Sequence, residues 1–216
     1  MRVLLASNNA KKLAELRRLL AMPSLTLVPQ GELGVSEAEE PHLTFIENAL
    51  AKARHAARHG GGAAIADDSG LCVDVLGGAP GVVSAVFAPL SPSAQAAVPP
   101  EREAQRRLQD AANNELLLQR LRGVADRRAA FVCTLVAVRH ADDPEPLVAC
   151  GRWPGEILEA PQGQGGFGYD PLMAIPALGA SVAELDADLK NLHSHRARAA
   201  LQMRALLQDA WHLGRP

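Results

Sequence analysis

Two apolar runs of strand composition, Ala129–Val138 and Leu147–Trp153, stand close together in the chain and read as a hairpin. Around that pair, other strand-like runs alternate irregularly with segments of helical spacing. That pattern predicts an α/β fold with a mixed sheet rather than a uniformly parallel one. Val3–Ala6 reads as a short buried strand, and Ala10–Ala21 carries Leu13, Leu16, Leu19 and Leu20 at helical spacing. Leu25–Val28 offers a second strand. Thr44-x-x-Glu47 has capping-box spacing, so a helix begins there, with Ile46, Leu50, Ala53 and Ala57 on one apolar face and Gly60–Gly62 as its end. Ala63–Ala66 and Leu71–Val75 read as two strands joined by a polar turn at Asp67–Gly70. A helix of mixed charge spans Glu101–Leu121. The C-terminal portion is helical, with Leu201, Leu206, Leu207 and Trp211 on its buried side.

The length of 216 residues suits one domain, or one domain with two lobes. With aromatics at only 3%, the core must rest on Leu, Val and Ala, and any ring in a glycine-rich loop stands out. The net charge of −2 argues against whole-surface attraction to nucleic acid or to anionic membrane. No stretch has the length of a membrane span and the N-terminal apolar run is too short for a signal peptide, so the cytoplasm is the expected compartment. Cys72, Cys133 and Cys150 lack the close pairing of a structural zinc site and are expected to be buried free thiols. Residues 88–100 are rich in Ala, Pro and Ser and read as a flexible surface loop.

Four widely separated segments carry the candidate chemistry. Ser7-Asn8-Asn9-Ala10-Lys11-Lys12 lies at a strand-to-helix turn, where free N–H groups and two lysines can receive an anion; an Asn cap followed by solvated lysines is the plainer reading. Asp67-Asp68-Ser69-Gly70 places two carboxylates side by side, which repel unless a cation or donor offsets them; an ordinary Asp-Ser-Gly turn is the alternative. Hard Mg²⁺ prefers oxygen ligands of this type, and Glu37, Glu39 and Glu40 can add one, a solvated acidic loop being the plainer reading of that run. Glu47 has a sufficient structural task in the capping box. Gly163–Pro171 holds Phe167 and Tyr169 among four glycines, so the rings can stack on a flat base and Asp170 can accept its N–H groups. The alternative is that the rings anchor the loop to the core. Ser194 is a helix cap, and His195-Arg196 opens the last helix, where the pair can donate to a carbonyl or phosphate.

Together these segments resemble the inosine triphosphate pyrophosphatase family. Ser7-x-Asn9-x-x-Lys12, Thr44–Ala49, Ala66–Leu71, Leu76–Gly81, Gly166–Pro171 and Ser194–Arg196 match its motifs in order, over nearly the whole chain. The resemblance implies an elongated mixed β-sheet flanked by helices, with two lobes around a central nucleotide-binding cleft, and usually a homodimer. It implies hydrolysis of ITP, dITP and XTP to the monophosphate and pyrophosphate, with Mg²⁺ as cofactor. By the matching motifs, Ser7, Asn8, Asn9, Ala10, Lys11 and Lys12 hold the triphosphate. Asp68 binds metal and accepts the proton of the attacking water, and Glu40 is a second metal ligand. Ser69, Phe167, Gly168, Tyr169, Asp170, Lys190, His195 and Arg196 contact the nucleotide. Asn8 stands where Gly is common in the family, and Val86 where Arg is usual. A pyrophosphatase for modified pyrimidine nucleotides and a nucleotide-binding regulatory module are the competing readings; a general base is of no use to the second.

Overall fold

The computed structural model describes residues 1–90 and 101–214. Its strands are β1 (Arg2–Leu5), β2 (Thr26–Pro29), β3 (Ala64–Val73), β4 (Arg128–Val138), β5 (Leu147–Ile157), β6 (Met173–Ile175) and β7 (Ala180–Ser181). They form one sheet in the order β2-β1-β3-β4-β5-β6-β7. β1 runs parallel to both β2 and β3, whereas β6 is antiparallel to β5 and β7, so the sheet is mixed as expected. The longer helices are α1 (Ala10–Leu19), α2 (Phe45–Gly60), α3 (Arg102–Arg120), α4 (Ala187–His193) and α5 (His195–Ala210). None of the described helices is long and apolar enough to cross a membrane.

The chain divides into two compact units. The first comprises Met1–Ser69, Val132–Arg152 and the residues from Asn191 onward. Its core is two-sided because successive side chains of a strand point to opposite faces. Val3, Leu5 and Ile65 pack with Leu16 of α1, with its C-cap Leu20, and with Met203 and Leu207 of α5. Leu4, Ala6, Ala64 and Ala66 pack instead on Ala49, Ala53, Ala56 and Ala57 of α2. A helix face built mainly of alanine brings the backbone close to the sheet, and a side chain at Gly60 would run into Leu4.

The second unit comprises Gly70–Phe131 and Trp153–Lys190. Leu117 and Leu121 of the α3 region close over Leu71, Val73, Phe131, Trp153 and Ile157, with Leu172 and Val182 in the same cluster.

Several expectations change. Asp67–Gly70 is no turn: β3 runs unbroken from Ala64 to Val73 through all four residues. Local preference of Asp, Ser and Gly for turns is overridden because the carboxylates find cationic partners on both faces of the sheet. Ile46 is exposed, so the buried face of α2 starts at Asn48 and Ala49. Leu201 is 70% exposed, and its expected place is taken by Ala199, Ala200 and Met203. The small residues face inward there because α5 lies against Gly151, where any side chain would meet the backbone of His195 and Ala199. Of the three free thiols, only Cys133 is fully buried; Cys72 is partly exposed and Cys150 exposed. Residues 91–100 of the Ala/Pro-rich stretch lie outside the described residues.

Candidate functional site

In the first unit the site is built on the middle of β3. Strand alternation sends Asp67 and Asp68 to opposite faces, although they are adjacent in sequence. Asp67 shares its face with Ile65 and so looks toward α1 and α5; Asp68 shares its face with Ala66 and looks toward α2. The two carboxylates therefore acquire separate partners.

Asp67 Oδ2 pairs with Lys12 Nζ at 3.1 Å, accepts the Ser69 hydroxyl at 2.5 Å and lies 3.5 Å from an Arg196 nitrogen. Arg196 also pairs with Glu15 at 2.5 Å and donates to Ser69 Oγ at 3.3 Å. Arg196 is 1% exposed and Asp67 2% exposed. Burial by itself would raise the Asp67 carboxyl, but the charges of Lys12, Arg196 and Lys52 and the Ser69 hydrogen bond hold it well below the ordinary carboxylate range. Burial likewise works against the Arg196 charge and is overcome by Asp67 and Glu15, so its guanidinium is held above its usual range. This half of the site is a permanently charged network in which Arg196 Nε alone among the guanidinium nitrogens is buried without a hydrogen-bond partner.

Asp68 differs in kind. Its Oδ1 accepts from Lys52 Nζ at 3.0 Å, and the same ammonium reaches Glu40 Oε2 at 2.8 Å. Its Oδ2 is buried and has no hydrogen-bond partner. Burial pushes the Asp68 carboxyl up to about 6; Lys52 opposes the shift by charge and hydrogen bond, and Glu40 adds to it. A carboxyl poised near neutrality with one oxygen uncommitted has the properties of a general base or a metal ligand.

The donor set also fits the implied cation. Mg²⁺ is commonly held by one or two carboxylates plus substrate phosphates. Asp68 Oδ2 is an orphaned hard oxygen, and Asp68 and Glu40 already converge on one cation, the Lys52 ammonium. Among the described residues no three His, Cys, Asp or Glu side chains gather as a metal site.

The turn before α1 is organised more tightly than its sequence implied. Asn9 caps the helix as expected, its Oδ1 accepting the N–H groups of Lys11 and Lys12 at 3.1 and 3.2 Å. Those two N–H groups are thus committed to the cap, and the Lys12 ammonium of the same turn is held by Asp67. Asn9 N donates to Ser7 Oγ. Asn8 donates to Glu37 at 3.1 Å, tying the turn to the acidic loop. Ala10 is the first residue of α1. Ser194 caps α5 through the Ala197 N–H, which places the buried His195 and Arg196 in its first turn.

In the second unit, Phe167–Asp170 forms a compact loop. Asp170 Oδ2 accepts the Phe167 N–H at 2.9 Å and the Lys190 ammonium at 2.8 Å. Lys190 Nζ sits 4.7 Å from the centre of the Phe167 ring, a cation–π distance. Gly166 has φ +75°, and a side chain there would collide with the Asp170 carboxylate. Tyr169 is buried and donates to Ser84 O at 2.9 Å, so this ring anchors the loop to the core. Burial raises its phenol well above the ordinary range. Phe167 is the more accessible of the two rings.

A model of the Ham1 family matches residues 3–206 of the chain. The chain belongs to the Ham1 family. Among its Ham1 relatives, the dITP/XTP pyrophosphatase of Methylibium petroleiphilum is 67% identical over 98% of this chain and 99% of its own length. The dITP/XTP pyrophosphatase of Leptothrix cholodnii is likewise 67% identical, over 99% of this chain and 100% of its own. Among solved structures, a HAM1 protein from Coxiella burnetii superposes with a TM-score of 0.84 at 38% identity, covering 97% of this chain and 99% of that one. The Staphylococcus aureus Ham1 protein gives 0.81 at 34% identity, over 97% and 100% of the two chains.

Two residues of this candidate site are not marked by the sequence patterns. Lys52 holds Asp68 and Glu40 together, and its signal was a charge on the alanine face of α2, between Ala49 and Ala56. Glu15 is the partner of Arg196, 181 positions away, and nothing local marks it.

Proposed function

We propose that this chain hydrolyses non-standard purine nucleoside triphosphates, dITP, ITP and XTP, to the monophosphate and pyrophosphate. The observation that carries the chemistry is Asp68: a buried carboxyl near neutrality, with one oxygen on Lys52 and the other uncommitted. The purine preference rests on the two full-length relatives that bear the dITP/XTP pyrophosphatase name.

Asp68 takes the proton of the attacking water, and Lys52 fixes the orientation of its carboxylate. Asp67, locked in its charged form, holds Lys12 at the turn where the phosphates would lie. Asp68 and Glu40 would hold Mg²⁺, which neutralises polyphosphate charge and lowers the pKa of bound water when present. In the second unit, Phe167 offers a ring face for the base, and Asp170 with Lys190 offers polar contacts beside it. The working form is a cytoplasmic homodimer, which sedimentation of the purified protein would test.

Product analysis with ITP, XTP, GTP, ATP and dTTP, with and without Mg²⁺, tests the reading. Mg²⁺-dependent monophosphate and pyrophosphate from ITP and XTP, with little from the others, is the expected result. Diphosphate with orthophosphate would place cleavage at the other anhydride bond, and a preference for dTTP would move the chain to pyrimidine substrates.

A further inference from the structure

Gly168 lies in the loop between the two rings with φ +63°, outside any strand or helix. A backbone peptide in such a position normally leaves its hydrogen bonds to water. Here both polar groups of the residue are taken by side chains of one helix. Gly168 N donates to Asp110 Oδ2 at 2.8 Å, and Asn114 Nδ2 donates to Gly168 O at 3.0 Å. Asp110 and Asn114 are four apart on α3, so they stand one turn apart on the same side of the helix. The spacing matches the N–H and C=O of a single residue.

The neighbouring track of α3 grips a second irregular segment. Asn113, itself buried, accepts the Ala88 N–H at 2.8 Å and donates to Ser84 O and Ala85 O, both at 3.1 Å. Gln109 donates to Ala88 O at 2.8 Å and to Asn113 Oδ1 at 2.9 Å. Tyr169 OH donates to the same Ser84 carbonyl. A closed circuit results: α3 to Ser84, Ser84 to Tyr169, and Gly168 back to α3. Phe167 is joined to this circuit through its peptide to Gly168, and on its other side through its own N–H to Asp170.

We propose that Asp110 and Asn114 are positioning residues for the purine end of the substrate. They fix the Gly168 peptide and, through it, the Phe167 ring, and so set nucleotide affinity without taking part in bond cleavage. The proposal rests on the reading that the Phe167 loop meets the base. α3 then acts as the backing of the base loop, which accounts for four polar positions (Gln109, Asp110, Asn113 and Asn114) being spent on peptides far away in sequence. A carboxylate acceptor makes the Gly168 bond charge-assisted, so its loss is felt more than that of a neutral pair.

The test compares Asp110→Ala, Asp110→Asn, Asn114→Ala and Phe167→Ala by steady-state kinetics with ITP. Competitive inhibition by inorganic tripolyphosphate, which lacks a base, is measured alongside. Asp110→Ala is expected to raise KM for ITP by about tenfold or more, the scale of one charge-assisted hydrogen bond, and Asn114→Ala, which removes a neutral bond, by about fivefold. Their kcat should stay within about twofold, and so should the tripolyphosphate inhibition constant. Asp110→Asn, which keeps an acceptor oxygen but not the charge, should recover part of the affinity. Adding Phe167→Ala to Asp110→Ala should raise KM little beyond Phe167→Ala alone, because both act through one ring.

If Phe167→Ala raises KM while the α3 variants do not, the positioning role is overturned and the base-loop reading stands. If Phe167→Ala leaves KM unchanged, the base-loop reading itself fails. Equal weakening of ITP and tripolyphosphate would reduce Asp110 and Asn114 to general structural support. Should Asp110→Ala fail to fold, Asp110→Asn and Asn114→Ala decide by the same comparison.

Discussion

Asp67 and Asp68 are joined by one peptide bond and face opposite sides of the same sheet. Asp67 meets Lys12, Ser69 and Arg196; Asp68 meets Lys52, with one oxygen left over. Two chemically identical side chains thereby receive opposite pKa shifts, one held as a fixed anion and the other raised to about 6.

Asp68→Asn should lower the turnover of ITP by at least about a hundredfold, the lower end for loss of a positioned general base. Nucleotide binding should remain measurable by calorimetry, since the lysines and the Phe167 loop are untouched. Turnover close to that of the unaltered protein would remove Asp68 from the mechanism.

The same substitution should stabilise the protein in the presence of chelator. The folded Asp68 carboxyl sits at about 6 against an ordinary 3.8, so between those values the folded state holds more protons than the unfolded chain. Stability therefore falls as pH rises through that window, and the cost is complete above about 6. The amide introduced by Asp68→Asn carries no such charge, so at pH 7.5 a gain on the order of 1–3 kcal/mol is expected. Denaturant melts at pH 3.5 and 7.5 should show the gain only at the higher value.

Asp67→Asn should do the reverse. Its carboxyl is held below the ordinary range, so its contribution is present above the unfolded value and is lost as pH falls through the folded one. At pH 7.5 the variant leaves the buried Arg196 and Lys12 short of a counter-charge, and a loss of about 3 kcal/mol is expected. An unchanged denaturation midpoint at pH 7.5 would contradict the network.

Lys52→Met removes the cation that opposes the upward shift of Asp68. The acidic limb of the pH–rate profile should move to higher pH, with kcat at pH 7 falling by about tenfold or more. A profile unshifted along the pH axis would show that Lys52 does not set the ionisation of Asp68.

Gly151→Ala should destabilise the first unit by about 1–3 kcal/mol, the usual cost of overpacking, because the added methyl meets the backbone of His195 and Ala199. Its effect on turnover should follow the displacement of α5, measured by comparing thermal melts with activity at a low temperature.

What the sequence determined by itself was whatever a few consecutive residues can decide. The caps at Asn9, Thr44 and Ser194, the leucine face of α1 and the long apolar strands β4 and β5 all follow from side-chain chemistry within a turn or two. The ordered motifs likewise placed the chain in its family before any contact was known. Only the tertiary structure decided the partners. Asp-Asp-Ser-Gly is locally a turn, and it becomes the centre of a strand because Lys12, Lys52 and Arg196 arrive from distant helices to balance its charges. Electrostatic pairing depends on distance in space, and Glu15 lies 181 residues from the arginine it holds. No pattern along the chain encodes that separation; the packing of α1 and α5 over one sheet face brings the two together.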